Sequence, residues 1–201
     1  MTAPGLLQVS SMDRAGHAVV ISSVSGGGKT SLIHLLTRMY PHLETVITAT
    51  SRPIREGEIN GVHYFFYSRD EFEARIARGE FLEHATVHGN HYGVPLDQVR
   101  GKMDQGKSVI LNIDVQGARR VKEILGDRVI TFFLLPPNRP EWERRLRGRG
   151  TDSEQVIQHR LAEGLRELEE ARGYDYRIIN DVLERAAGEI SVILKEREVL
   201  H

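Results

Sequence analysis

The chain has 201 residues, 40% of them hydrophobic, 27% charged and 6% aromatic, with a formal net charge of -1. That length supports one domain with a sizeable core, and the composition excludes disordered, collagen-like and fibrous classes and any run long enough to span a bilayer. Lys and Arg number 27 against 28 Asp and Glu, too balanced for a nucleic-acid polymer, and the lack of Cys removes disulfides, thiolate metal sites and a Cys nucleophile.

Residues 1–16 mix small, polar and turn-forming side chains without a period, and read as a loosely ordered arm with Met12 as an alternative start. The Leu6-Leu7 patch is too short for a signal-peptide core. A cytoplasmic location without membrane partners is the expectation, and a reducing compartment suits a chain without Cys.

Residues 17–23 (HAVVISS) form a short β-branched run, the composition of a strand buried on both faces. They lead into Val24, Ser25, Gly26, Gly27, Gly28, Lys29, Thr30 and Ser31. Leu32, Ile33, Leu35, Leu36 and Met39 then recur at helical spacing until Tyr40-Pro41. A strand, a glycine loop ending in Gly-Lys-Thr and a helix form the context of a Walker A phosphate loop. Glycines let the backbone curl so that N–H groups converge, and the helix N-terminus adds donors and partial positive charge. Lys29 can reach β- and γ-phosphates and the Thr30 hydroxyl can ligate Mg²⁺. Ser23 stands where the strict pattern has its first glycine. The alternative is a glycine-rich turn at an ordinary strand–helix junction.

Residues 45–49, 108–113, 129–135 and 176–179 are further strand candidates. Helical patterns occupy residues 96–105, 116–125, 139–147, 153–172 and 183–198. This alternation predicts an α/β fold, a parallel sheet flanked by helices with ligands at the carboxyl ends of its strands. Asp114 ends one such strand (VILNID), in the manner of a Walker B acid. Residues 48–95 interrupt the alternation with a short strand at 62–67, a helix at 69–78 and a strand at 81–88. In the last, Phe81, Glu83, Ala85 and Val87 share one face, so Glu83 sits among apolar neighbours and requires donors, from an Arg or from a ligand.

Five stretches then carry a resemblance: TSRPIREGEINGVHYFF (50–66), FLEHATVHGNHYG (81–93), NIDVQGA (112–118), RRLRGRGTDSE (144–154) and IIND (178–181). In this order after a phosphate loop, the chain from about His17 resembles the guanylate kinase family, which transfers phosphate from ATP to GMP. The resemblance implies a core of residues 17–47, 96–141 and 161–201, a mobile GMP-binding part at 48–95 and a helical lid at 142–160. It implies an ATP site at residues 23–31 and Asn180, with Asp181 near the adenine, and Mg²⁺ at Thr30 and, through water, at Asn112. Arg52, Arg55, Tyr64 and Tyr92 match the positions that hold the GMP phosphate, as guanidinium forks and phenol hydroxyls suit. Glu83 and Asp114 match the carboxylates that accept from guanine N1–H and the 2-amino group. Lys29 and the lid arginines Arg145, Arg149 and Arg160 match catalytic groups that neutralise phosphate charge. A solvated basic helix end or an RNA-contacting patch is the other reading of those arginines.

Three positions depart from the family pattern. Val94 stands where a Ser or Thr contacts guanine O6, Thr48 replaces the Ser at the other O6 contact, and Asn112 replaces an Asp near Mg²⁺. GMP is therefore expected to bind more weakly and to be selected mainly by Glu83 and Asp114. His88 and His91 have no helical spacing that would make them a metal pair, and Trp142 reads as packing with Leu146. A related kinase with another phosphorylated acceptor, a non-catalytic guanylate-kinase-like binding module, and an RNA-binding ATPase are the competing readings. Homo-oligomerisation is compatible with the sequence.

Overall fold

The computed structural model describes residues 16–87, 89–148 and 153–200. Strand β1 (Ala18–Ser23) is buried along almost its whole length because it lies in the middle of a parallel sheet. Its neighbours are β7 (Ser108–Asn112) and β8 (Val129–Leu135), with β2 (Leu43–Thr45) outside β7 and β9 (Tyr176–Ile179) outside β8. Two-residue alternation along β1 divides the core. Val19 and Ile21 pack with Leu32, Leu36, Ile190 and Leu194, under helices α1 (Lys29–Met39) and α7 (Leu183–Glu196). Ala18 and Val20 face the other way, toward Val99, Met103 and Val121 of α3 (Leu96–Asp104) and α4 (Val115–Leu125).

A second sheet orders its strands as β4 (Phe65–Phe66), β3 (Ala49–Thr50), β6 (Asn90–Pro95) and β5 (Phe81–Val87). Helix α2 (Arg69–Ala77), capped by the Ser68 hydroxyl, covers it through Phe72, which stacks on Phe81 at 4.3 Å. Helices α5 (Arg139–Arg147) and α6 (Glu154–Glu170) follow β8 and share an apolar cluster in which Val24 of the glycine loop meets Trp142, Leu146, Ile157 and Leu161. Asn138 and Ser153 cap them by accepting from Glu141 and Val156 N–H groups.

The α/β expectation holds, with local corrections. The expected strand at 45–49 is split: β2 ends at Thr45 and β3 begins at Ala49, because the chain crosses there from one sheet to the other. The strand expected at 62–67 contracts to Phe65–Phe66, since residues 59–64 are drawn into a turn in which Gly61 N–H donates to the Tyr64 carbonyl at 2.8 Å and Gly61 adopts φ +76°. The strand β6 has no clear pattern in NHYGVP; it exists because β5 and β3 supply ladders on both sides. The long helix at 153–172 ends at Glu170 in a 3₁₀ turn. Gly16 is part of the fold rather than of the arm: its N–H donates to Met103, and its carbonyl accepts from Arg128.

Candidate active site

The glycine loop sits where the parallel sheet predicts it, between the carboxyl end of β1 and the first turn of α1. Gly26 and Gly28 hold φ of +83° and +90°, a region that side-chain-bearing residues rarely adopt. Gly27 N–H donates to the Val24 carbonyl at 2.9 Å, closing the loop's first turn. Ser23 Oγ donates to the same carbonyl at 3.0 Å, so the residue in place of the usual glycine is accommodated as part of the turn. Thr30 and Ser31 are exposed on the first turn of α1.

Lys29 Nζ donates at 3.1 Å to the carbonyl of Ile113, at the end of β7. Burial pushes its pKa below the ordinary ammonium value, opposed by the negative charges of Asp114, Glu167 and Glu83. Ser22 Oγ donates to the same Ile113 carbonyl at 2.9 Å and ties β1 to the turn that carries Asp114.

Asp114 and Glu83 meet at one glycine. Asp114 is the N-cap of α4, and its Oδ1 accepts from the Gly117 N–H at 2.8 Å. Glu83, reaching over from β5, lies so close to Gly117 that a Cβ there would stand 3.1 Å from Oε2. Burial first, and the charge of Asp114 second, push the Glu83 carboxyl up to about 7, with Arg120 and Lys29 pulling the other way. Val94 pairs directly with Glu83 across β5 and β6, is 1% exposed, and belongs to the core cluster with Leu82 and Val99. The position opposite Glu83 is thus apolar and offers no donor. Asn112 is exposed at the end of β7, and Thr48 gives its carbonyl to the Phe65 N–H at 2.9 Å just before β3.

A second group gathers Arg52, Tyr64 and Tyr92. The Arg52 guanidinium lies 5.3 Å from the centre of the Tyr64 ring, and the Tyr64 and Tyr92 rings meet edge to face at 6.3 Å. Arg52 is also gripped by Glu58: Nη1 donates to Oε2 at 2.7 Å, and Nη2 donates to Oε1. The backbone N–H of Arg55 adds a third donor to Glu58 at 2.8 Å, while the Arg55 side chain is exposed. This pairing, Arg52 first, holds the Glu58 carboxyl down at about 2. Glu58 is a partner that sequence reasoning missed; its only signal was a carboxylate six residues after Arg52 in a Gly-bearing turn.

The third group surrounds the glycine loop. Arg160 Nη1 donates to Ser25 Oγ at 3.2 Å, and Arg145 Nη1 donates to the Asn180 carbonyl at 2.8 Å. Asn180 is buried and its Nδ2 donates to the Gly27 carbonyl at 2.8 Å, which makes it a brace for the loop. Asp181 caps the Val182 N–H and pairs with Arg185. Arg149 lies outside the described residues. Trp142 does pack with Leu146 as expected, but its Nε1 also donates to the Ser25 carbonyl at 2.7 Å. Glu167 was missed as well: burial raises its pKa, with Lys29 opposing, and it faces Ser25. Its signal was helical spacing, because Arg160, Glu163 and Glu167 fall on one face of α6.

Asp114 joins two clefts. One of about 700 Å³ is lined by Ser25, Asp114, Arg160, Glu163 and Glu167, and one of about 440 Å³ by Glu83, His84, Asp114, Gly117 and Arg120. His91 is engaged by Thr86 and Glu73 and stacks on Phe72, while His88 lies outside the described residues. Among the described residues no three acidic or His side chains gather as a metal cage, and no helix is long and apolar enough to cross a membrane.

With this geometry in place, comparisons with known proteins have direct meaning. The chain matches the family described as guanylate kinase over residues 15–197. It is 44% identical over 178 residues to a guanylate kinase of Alkalilimnicola ehrlichii, covering 89% of this chain and 87% of that protein. It is 45% identical over 177 residues to one of Neisseria gonorrhoeae, covering 88% and 86%. The crystal structure of guanylate kinase from Anaplasma phagocytophilum aligns with a TM-score of 0.72 at 33% identity, covering 92% of this chain and 87% of that one.

Proposed function

The chain belongs to the guanylate kinase family and moves the γ-phosphoryl of ATP to GMP, and we propose that it does so with Lys29, Arg145, Arg149 and Arg160 on the transferred phosphate and Glu83 and Asp114 on the guanine. The observation that carries this assignment of roles is that Lys29 Nζ donates to the Ile113 carbonyl, next to Asp114, whose N–H partner Gly117 lies against Glu83. A phosphate-binding ammonium and a pair of acceptors for N–H donors thereby adjoin each other.

The reaction is an in-line displacement. The phosphate of GMP is already an anion, so no strong general base is required, and catalysis rests on positioning and charge neutralisation. The backbone N–H groups of Gly26 and Gly28 and the Lys29 ammonium bind the donor phosphates, while those of Ser25 and Gly27 hold the loop itself. Arg52, Arg55, Tyr64 and Tyr92 bind the acceptor phosphate, for which Arg52 exchanges its carboxylate partner Glu58 for a phosphate oxygen. Glu83 and Asp114 accept from guanine N1–H and the 2-amino group. Adenine has no such donor pair on that edge, and an unmatched buried carboxylate discriminates by roughly 10⁴ or more.

Thr30 and Asn112 are exposed, oxygen-bearing side chains at the loop and at the neighbouring strand end, a donor chemistry that fits Mg²⁺, with Asn112 acting through a water. When bound, the ion would supply positive charge against the negative charge of the phosphates. Residues 48–95 serve as the moving GMP-binding part and 142–160 as a lid, closing to exclude water. These substrates support a role in purine nucleotide metabolism, which we place in the cytoplasm.

The test is ADP release coupled to a spectroscopic readout, with ATP against GMP, dGMP, AMP, CMP and UMP. Turnover with GMP and dGMP alone is expected. Equal or faster turnover with another monophosphate would favour the related-kinase reading, which Val94 and Asn112 raise.

A further inference from the structure

Ser25 is held from three directions by the helices that follow β8. Its carbonyl accepts from Trp142 Nε1 at 2.7 Å, its hydroxyl accepts from Arg160 Nη1 at 3.2 Å, and its backbone N–H is bound by Glu167. The first of these contacts bears on the chemistry of the loop. A peptide unit is planar and trans, so its C=O and N–H point in opposite directions. Fixing the Ser25 carbonyl toward Trp142 turns the N–H of Gly26 away from α5. Gly26 is part of the phosphate loop, and its φ of +83° shows that the chain bends at this unit.

The indole is built into its place. Trp142 is 2% exposed, and Gly164 of α6 makes room for it: a Cβ there would stand 2.4 Å from the ring. Packing alone calls for an apolar side chain here, and Leu or Phe would supply it. Neither has an N–H to give to a carbonyl. The indole is also the sole tryptophan of the chain.

We propose that Trp142 is a positioning residue for ATP: its indole N–H orients the Ser25–Gly26 peptide so that the phosphate loop presents the Gly26 N–H to the nucleotide. Resting on the kinase reading above, this makes α5 a direct determinant of loop geometry as well as the base of the lid. A role in packing alone would lower stability without distinguishing the two substrates. A role in orienting the loop acts on ATP and leaves GMP unaffected.

Trp142→Phe keeps an aromatic filler and removes the donor. Steady-state kinetics with each substrate varied against a saturating partner should show KM for ATP raised about tenfold and KM for GMP within about twofold of the parent, as loss of one hydrogen bond to a half-buried carbonyl predicts. Unchanged KM for ATP, or equal rises for both substrates, would overturn the proposal. Calorimetric titration with a non-hydrolysable ATP analogue reads the same loss of ATP affinity directly, so an absence of GMP kinase activity in the parent would refute the kinase reading without touching this inference. Should Trp142→Phe not fold, the parent protein decides through its single indole ¹H–¹⁵N resonance. That resonance should shift when the ATP analogue is added and stay in place with GMP alone; insensitivity to the analogue would overturn the proposal.

Discussion

Asn180 Nδ2 donates to the Gly27 carbonyl at 2.8 Å, and this bond ties the end of the last core strand to the phosphate loop. By the same peptide geometry it turns the Gly28 N–H to the opposite side. Asn180→Ala is expected to cost about 1–2 kcal/mol of stability, by leaving a buried carbonyl without its donor. KM for ATP should rise about 5–10-fold with KM for GMP unchanged. Asn180→Asp, which turns a carboxylate oxygen toward that carbonyl, should be worse on both counts. Thermal melts and ATP-dependent kinetics check this.

Gly28 and Gly57 both have positive φ, +90° and +80°, but in different surroundings. A Cβ at Gly28 would meet Asn180 Nδ2 at 2.3 Å, whereas one at Gly57 meets nothing within 4 Å. Gly57→Ala should add only backbone strain, destabilising by about 1 kcal/mol. Gly28→Ala adds displacement of the Asn180 brace, and ATP binding should become too weak to measure by calorimetry. Equal ATP affinities for the two variants would contradict this account.

Glu83 predicts how GMP use depends on pH. Its carboxyl is raised from 4.5 to about 7, so below 7 it is mostly protonated and cannot accept from both guanine donors. KM for GMP should fall as pH rises through 7, by about tenfold between one unit below and well above that value. A phosphate monoester titrates near about 6, and Glu83→Gln should retain that component and lose the one at 7. The sign for stability is opposite. A raised carboxylate pKa gives stability that is full below 4.5 and lost as pH rises through about 7, so the free protein should melt lower at pH 8 than at pH 5 by a margin that Glu83→Gln reduces.

Val94→Ser places a hydroxyl opposite Glu83. Donating to the carboxylate, it should lower the Glu83 pKa and move the midpoint of the GMP profile below 7. Burying that hydroxyl in the cluster with Leu82 and Val99 costs about 1–3 kcal/mol. A lower melting temperature with an unmoved midpoint would show that residue 94 does not act on Glu83.

Lys29→Met removes the ammonium that sits between the loop and the Ile113 carbonyl. Loss of a preorganised charge stabiliser should lower kcat by about 10²–10³ or more while the circular dichroism spectrum stays that of the parent. Near-normal turnover would remove Lys29 from the mechanism.

Local signals in the chain were sufficient for the central architecture. The run HAVVISS, the glycines before Lys29 and the helical spacing of Leu32, Ile33 and Leu36 each depend on neighbours within a few residues, and β1, its loop and α1 follow directly. Glu83 was legible as a costly acid on an apolar strand face because two-residue alternation determines which neighbours it has. The strand at 45–49 was misplaced because either of two sheets could use those residues, and only the available ladders decide between them.

The rest was decided by tertiary structure. Trp142 and Ser25 are 117 residues apart, and Asn180 and Gly27 are 153 apart. No period or motif connects such pairs, because side-chain direction and peptide orientation emerge only when the helices after β8 close over the glycine loop. Asp114 reads from sequence as an acid at a strand end, and only the fold makes it the cap of α4 as well, with Gly117 narrow enough to admit Glu83 beside it. The near-neutral chain therefore carried its chemical groups in plain view, and their pairing, burial and shifted acidity came from long-range packing, which composition and spacing do not encode.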